Sequence, residues 1–426
     1  MADDLLPREG AGAIASEARA RAYATPLEEI DVSEVELFTS DTFWPYFERL
    51  RAEDPVHYCA NSRYGAYWSV TRFEDIVAVD SNHEAFSSDS QKGGIVISDA
   101  PEDREGTSFI ALDPPDHDAQ RRVVSPTFSS QGIAAFEPLI RERAAAILDE
   151  LPIGETFDFV DRVSVELTSQ MLATLFDYPF DQRRNLPRIS DMILDIPPPD
   201  TPPEKLMERQ AAFWPMVMPF MELWNARKDA APANDLISLL SQNPLTRKGD
   251  NPEKYFGNII LLTVAGSDTT RHSISGGLMA FQEYPEAYDR LRADPSLLDS
   301  AVPEIIRWQS PVAHMRRTAT CDIELGGKAI NTGDRVVMWY VSGNRDESVI
   351  ADADKFIIDR ERPRQHVAFG FGIHRCVGNR LAEMQLRVVW EEILKRFKRI
   401  EVVGEPRRLR SNFVKGYEAL PVRIVG

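Results

Sequence analysis

The sequence predicts an α+β fold, mainly α with small β-sheets. Three observations point to it: a long, mostly apolar helical pattern at 255–278, helical stripes near 285–310 and 377–397, and short strand signals confined to 64–70, 318–341 and 413–425. Taken in chain order, residues 1–40 are rich in Ala and acids without a strong apolar stripe, and read as a partly mobile N-terminal arm. Residues 41–426 read as a single domain, because the apolar pattern does not divide into self-contained halves. Tyr-Gly-Ala-Tyr-Trp-Ser-Val-Thr from Tyr64 reads as a short strand pair, followed by a helix over 73–80. The stretch 87–116 is a long loop whose Ile95, Val96, Ile97, Phe109 and Ile110 make it more apolar than a solvated connection, as the roof of a pocket would be. Residues 117–243 alternate helical stripes with breakers, including the Pro-rich run 197–203. Ala265-Gly266 interrupts the long apolar helix that follows.

Composition excludes several functions. With 49 basic against 67 acidic residues, the net charge of −18 disfavours general nucleic-acid binding, though a local basic docking patch is compatible with it. Cys59, Cys321 and Cys376 are widely spaced and odd in number, so neither a disulfide framework nor a paired zinc site is indicated, and a reducing compartment is. The N-terminus lacks the apolar core of a signal peptide, and no uninterrupted apolar run is long enough to span a membrane. A soluble, cytoplasmic protein without a membrane anchor is expected. There is no internal repeat, phosphate-binding loop or dinucleotide fingerprint.

The chemistry concentrates around one cysteine. In Phe369-Gly370-Phe371-Gly372-Ile373-His374-Arg375-Cys376-Val377-Gly378, Cys376 stands in a glycine-bent loop directly before a helical pattern. A lone cysteine is more often a small buried hydrophobe. Here, N–H groups near the helix start can hydrogen-bond the sulfur and favour the thiolate, and Phe369 can shield it from water. Gly370 and Gly372 permit tight turning beside a flat cofactor, and Gly378 leaves space. This pattern resembles the haem-ligand signature of the cytochrome P-450 superfamily. The resemblance implies haem b held by Cys376 as axial ligand, O2 as co-substrate, and electrons from NAD(P)H through separate redox proteins.

Ala265-Gly266-Ser267-Asp268-Thr269-Thr270 places a small pair, an acid and hydroxyls on the long helix. Glycine costs about 1 kcal/mol in a helix interior, and hydroxyls compete for carbonyls, so a local groove is expected. The segment resembles the superfamily's oxygen-activation motif, which assigns Asp268 to proton delivery, Thr269 to holding dioxygen by a hydrogen bond, and Ala265 to the cofactor's edge. Glu304 and Arg307 are three apart on a helix expected over 302–308, within ion-pair reach. The resemblance adds Arg360 as the third member of a structural clamp on the cysteine loop. It also matches His117, Arg121, Arg317 and His366 to positions that bind the two haem propionates.

More narrowly, the run Trp308 to Arg317, Val337-Met338-Trp339-Tyr340 with Gly343-Asn344-Arg345-Asp346, the run Ser411 to Tyr417, and Met192 to Pro197 are similar to the bacterial alkane and fatty-acid terminal-hydroxylase family. That resemblance implies terminal (ω) hydroxylation of medium-chain alkanes or fatty acids, supported by a [2Fe–2S] ferredoxin and a ferredoxin reductase. Arg375, Arg380, Arg387, Lys395 and Arg396 are candidates for docking an acidic donor. Holding a chain end requires apolar walls, for which Ile95, Val96, Met192, Ile193, Leu194, Leu261, Leu262, Ala265, Val312, Met315 and Phe413 are candidates. Two alternatives stay open: the same machinery acting on a compact terpene, aromatic or macrolide, and a haem-thiolate sensor or binding protein, which would not need the Asp268-Thr269 pair.

Overall fold

In the computed structural model, which describes residues 8–99, 106–195, 201–233, 235–247 and 251–425, helices dominate. The longer ones are α1 (Arg8–Ala24), α2 (Trp44–Glu53), α3 (Phe73–Ser81), α4 (Asp116–Val124), α5 (Glu137–Asp149), α6 (Glu166–Leu175), α7 (Asn185–Leu194), α8 (Pro203–Arg227), α9 (Glu253–Glu283), α10 (Pro285–Ala293), α11 (Leu298–Gln309) and α12 (Asn379–Arg396). The strands are β1 (Val56–Cys59), β2 (Tyr67–Val70), β3 (Phe86–Ser87), β4 (Thr156–Asp158), β5 (Met315–Ala319), β6 (Ile323–Leu325), β7 (Lys328–Ile330), β8 (Arg335–Met338), β9 (Arg399–Val402), β10 (Arg407–Arg408), β11 (Tyr417–Ala419) and β12 (Pro421–Val425). The expected plan of many helices with small sheets is present.

The main sheet runs β1-β2-β8-β5-β3, with β2 and β8 parallel and the other neighbours antiparallel. The stretch from Tyr64 supplies one of its strands rather than a pair. Gly65, at φ +83°, and the Ser62 hydroxyl bonded to its carbonyl (2.7 Å) close a turn there, and β2 pairs back onto β1. The stripe expected over 285–310 is two helices, because Asp294 accepts from Ser296 N (3.1 Å) and Pro295 breaks the ladder between α10 and α11. The 1–40 segment carries α1, and Arg49 of α2 donates to the carbonyls of Ala22 (2.8 Å) and Thr25 (2.6 Å) at its end. Residues 197–200 of the Pro-rich run lie outside the described residues.

Helix α9 is the spine, and it is continuous through Ala265-Gly266. The hydroxyls of Thr263 and Thr269 bond the carbonyls of Ile259 (2.8 Å) and Ala265 (2.7 Å), four residues back, which adds to the backbone ladder without replacing it. Gly266 serves close packing: a Cβ there would lie 2.8 Å from Leu172 Cδ2 of α6. The N-terminal half of α9, with Tyr255, Ile259 and Leu262, joins one apolar cluster with α4, α7 and α8; the C-terminal half, with Ile274, Leu278 and Phe281, joins another with α11 and Trp390 of α12. Each large apolar side chain so buried contributes about 1.5–3 kcal/mol. Residues 263–273 fall between the two clusters, and the candidate site is there.

Candidate active site: the cysteine loop beside the long helix

The cysteine loop is closed by its own backbone. Gly370 N–H donates to Val367 O (2.9 Å) and Cys376 N–H to Phe369 O (2.8 Å), while Gly370 and Gly372 turn at φ +64° and +62°, a conformation other residues resist. Space demands glycine too: a Cβ on Gly372 would lie 2.3 Å from Asp80 O. Burial pushes the Cys376 thiol up, opposed by the Gly378 N–H donated to its sulfur and by Arg121 and Arg375 nearby. Protein surrounds the thiol, yet solvent reaches it. Ala265, midway along α9, is exposed although Thr263 and Ser267 on either side of it are buried.

Basic side chains converge beside this loop. His117 and Arg121 are one turn apart on α4, and Arg121 donates to the Arg375 carbonyl. The His117 ring lies 4.3 Å from that of His374; both ring nitrogens of His374 and Nε2 of His117 are buried without partners among the described residues. Burial, then Arg317, His117 and Arg121, push His374 well down, so the four residues share one neighbourhood. His374 stands in the cysteine motif, and its sequence position alone assigns it no role. His366 lies elsewhere: its ring is 5.5 Å from Phe369, and after burial its chief electrostatic neighbours are Arg307 and Glu304.

Arg317 is already paired. Its Nη2 donates to Asp80 Oδ1 (2.7 Å), and Asp80 Oδ2 accepts from Phe371 N (2.6 Å) and Tyr340 Oη (3.1 Å). Asp80 thus ties strand β5 to the cysteine loop, a role sequence reasoning missed. A signal existed: an acid in the last turn of α3 opposes the helix dipole, so it needs a cationic partner.

Glu304 and Arg307 are fully buried and bonded twice, at 2.8 Å each. Arg360 adds a bond at 3.0 Å to Glu304 Oε2, and Ile357 N one at 2.7 Å to Oε1. Burial raises the Glu304 pKa, but the bonds from Arg307 and Arg360 outweigh it and hold the carboxyl below its ordinary value. Arg307 also donates to Asn344 O (2.7 Å), and Asn344 Oδ1 accepts from Val367 N (2.7 Å) at the entry to the cysteine loop. The clamp therefore reaches the loop through Asn344.

On α9, Ala265 and Thr269 are four apart and share one face. Asp268 turns instead toward α7: Ser190 Oγ donates to its Oδ2 (2.9 Å), and Arg271, 2.9 Å from Oδ1, donates to Asp191 (2.7 Å). Oδ1 has no aligned hydrogen bond. Burial pushes the Asp268 carboxyl up to about 6, with Arg271 and Ser190 opposing and Asp191 assisting.

Of the wall candidates, Met192, Leu261 and Leu262 pack in the cluster around α7 and α8, and Val312 and Met315 against the main sheet. Ile95, Val96, Ile193, Leu194 and Phe413 join none of the packed clusters. Of the docking candidates, Arg375 and Arg380 are exposed without an acidic partner among the described residues, whereas Arg387 pairs with Glu137 (3.0 Å), Lys395 with Glu392 (2.7 Å) and Arg396 with Asp149 (2.6 Å). Among the described residues, no helix is long and apolar enough to cross a membrane.

Comparison with known proteins agrees with this geometry. The family model "Cytochrome P450" matches residues 46–415. The chain is 39% identical to linalool 8-monooxygenase of Pseudomonas putida over 94% of this chain and 100% of that protein. It is 32% identical to the methyl-branched lipid omega-hydroxylase of Mycobacterium tuberculosis over 94% and 97%. Among solved structures, cytochrome P450-153 from Novosphingobium aromaticivorans superposes with a TM-score of 0.85 at 42% identity, covering 93% of this chain and 99% of that one. The match spans both the cysteine loop and the long helix, and the chain belongs to the cytochrome P450 family of haem-thiolate monooxygenases.

Proposed function

We propose that this monooxygenase hydroxylates the terminal methyl of medium-chain alkanes or fatty acids, with electrons passed from NAD(P)H through a reductase and a [2Fe–2S] ferredoxin. The observation that carries it is that the apolar Ile95, Val96, Ile193, Leu194 and Phe413 join none of the packed clusters among the described residues, while Ala265 on α9 is exposed. One relative adds support, the methyl-branched lipid omega-hydroxylase.

Haem fits the residues present. A flat ring with two carboxylates meets a solvent-reached thiol, a helix face bared at Ala265, and unpartnered nitrogens on His117 and His374. When bound, haem with a thiolate ligand supplies the activation of dioxygen. The chain's own residues do the rest. Cys376 would hold the haem iron through its sulfur, and the Gly378 N–H donated to that sulfur favours the anion. His117, Arg121 and His374 would hold the propionates, with Arg317 braced by Asp80 beside them; His374 takes the place of His366 in this set. Thr269 orients dioxygen from the face it shares with Ala265, and Asp268, protonated in part near neutrality, feeds protons after turning from Ser190 or through water. Arg375 and Arg380 receive the ferredoxin. The apolar wall must hold the chain end in place, because a terminal C–H bond is no weaker than an internal one.

A second reading, hydroxylation of a compact terpene, is favoured by the 39% identity to linalool 8-monooxygenase. One experiment separates them. The haem-loaded enzyme, with a ferredoxin system, is given n-octane, dodecanoic acid and linalool, and products are identified by chromatography. Terminal alcohols or ω-hydroxy acids in excess are expected; mainly internal alcohols, or turnover of linalool alone, would reject the first reading.

A further inference from the structure

The 92–99 segment of the roof is fastened to the main sheet, and charge does much of the fastening. Arg316 N–H donates to Ile95 O (2.8 Å), and the Thr318 hydroxyl to Lys92 O (2.6 Å). The Arg316 side chain then donates to Ser98 O (3.3 Å) and Asp99 Oδ1 (2.8 Å), while Arg335, on the adjacent strand β8, donates to Asp99 Oδ2 (2.7 Å). The segment crosses directly over the Arg316 guanidinium: a Cβ on Gly93 would lie 2.1 Å from Arg316 Nη2. The two guanidiniums are 4% and 11% exposed, against 64% for the Asp99 side chain. Among the described residues, the one exposed carboxylate of Asp99 thus pairs with two neighbouring, largely shielded cations, each of whose buried Nε atoms has no partner there. Removing it would leave like charges facing one another at low dielectric.

Between the anchors the side chains differ in burial. Ile97 is buried in the cluster around Trp339, whereas Ile95 and Val96 join no cluster. Strand β5 alternates likewise, with Met315 packed against the sheet's apolar cluster and Arg316 held in the clasp.

We propose that Asp99 is a positioning residue: clasped by Arg316 and Arg335, it holds the 92–99 segment at a set height over the substrate pocket and so decides which substrate carbon is oxidised. This rests on the monooxygenase reading with Ile95 and Val96 in the pocket wall. Asp99 touches no reacting atom; it acts through those two side chains.

The test compares wild type with Asp99→Asn, Asp99→Ala and Asp99→Glu as haem-loaded proteins. The reduced carbonyl spectrum is expected to stay unchanged in all, and amide exchange across 94–99 alone to quicken by at least about tenfold in the Asn and Ala variants. On whichever of n-octane, dodecanoic acid and linalool the wild type turns over, products should spread from its main position to neighbouring carbons, and Asp99→Glu should restore most of the preference. Unchanged exchange or unchanged product position in Asp99→Ala overturns the proposal. Loss of haem from both the Asn and Ala variants overturns it as well, by making the clasp part of the fold. The wild-type product position tests the substrate reading separately, and the exchange result stands whether or not a substrate is turned over.

Discussion

Asp268 and Thr269 are adjacent in sequence but leave α9 in different directions, so the acid and the hydroxyl can be probed apart. Thr269→Ala removes the hydroxyl bonded to Ala265 O while Ala265 still bares the helix face. Substrate-induced spectral shifts should persist, and product formed per NAD(P)H consumed should fall severalfold with peroxide rising; unchanged coupling would remove Thr269 from the mechanism. Asp268 offers a stability test. Its carboxyl rises from 3.8 to about 6 in the folded protein, chiefly through burial. Between those values the folded state keeps a proton that the unfolded state has released, so folding is less favourable as pH rises. Relative to Asp268→Asn, wild type should lose about 2–3 kcal/mol between pH 4 and 6 and change little above, by denaturant titration. A pH-independent difference would show that Asp268 is not held at a raised pKa. The residues proposed to do chemistry stand in short runs, so their candidacy is readable in the sequence, because each motif carries its acid, hydroxyl or sulfur within a few positions. The role of Asp80 is not readable there, because its partners Arg317 and Phe371 are 237 and 291 residues away.

At the scale of elements, the Glu304 clamp joins α11 to the strand-poor stretch 344–360 and, through Asn344, to the cysteine loop. The Glu304–Arg307 spacing and the place of Arg360 were both legible. Sequence could not show that both Glu304 oxygens are consumed and that the pair has no solvent exposure. Burial changes the energetics: an exposed pair contributes about 0–1 kcal/mol, whereas removing one member of a buried pair costs about 3–5 kcal/mol. Glu304→Ala strands the Arg307 and Arg360 guanidiniums, so haem content of the purified protein should drop sharply and the thermal midpoint with it. Full haem retention would mean that the loop holds its shape without α11. The helix expected to break at Ala265-Gly266 is whole for a related reason: packing of Gly266 against Leu172 outweighs its low helix propensity.

For the whole molecule, charge sets the terms of association. On the proposed reading, a net charge of −18 would repel an acidic ferredoxin at long range, while Arg375 and Arg380 would attract it on contact. The Debye length is about 10 Å at 0.1 M salt, so moderate salt screens the first effect before the second. Ferredoxin-driven haem reduction should therefore rise and then fall with ionic strength. Arg380→Glu should slow it severalfold and flatten the falling limb, with haem content unchanged. Arg387→Glu serves as contrast: it breaks the pair with Glu137, costs about 1 kcal/mol or less of stability, and should alter the salt profile little. Equal effects of the two substitutions would place docking elsewhere.

What the sequence determined by itself was local: a bent loop presenting Cys376, a long apolar helix carrying an acid and a hydroxyl, an i,i+3 ion pair, and a mainly helical plan with small sheets. Glycines at positive φ and side-chain spacing along one helix are properties of a few consecutive residues, so composition encodes them directly. Only the tertiary structure decided which charges are free. It assigned Arg317 to Asp80, Arg387 to Glu137 and Asp99 to two arginines, and it left His374 rather than His366 beside His117. A side chain's partner is chosen when remote segments meet in a low-dielectric interior, where an unpaired polar group is costly, and no short run of sequence holds that information.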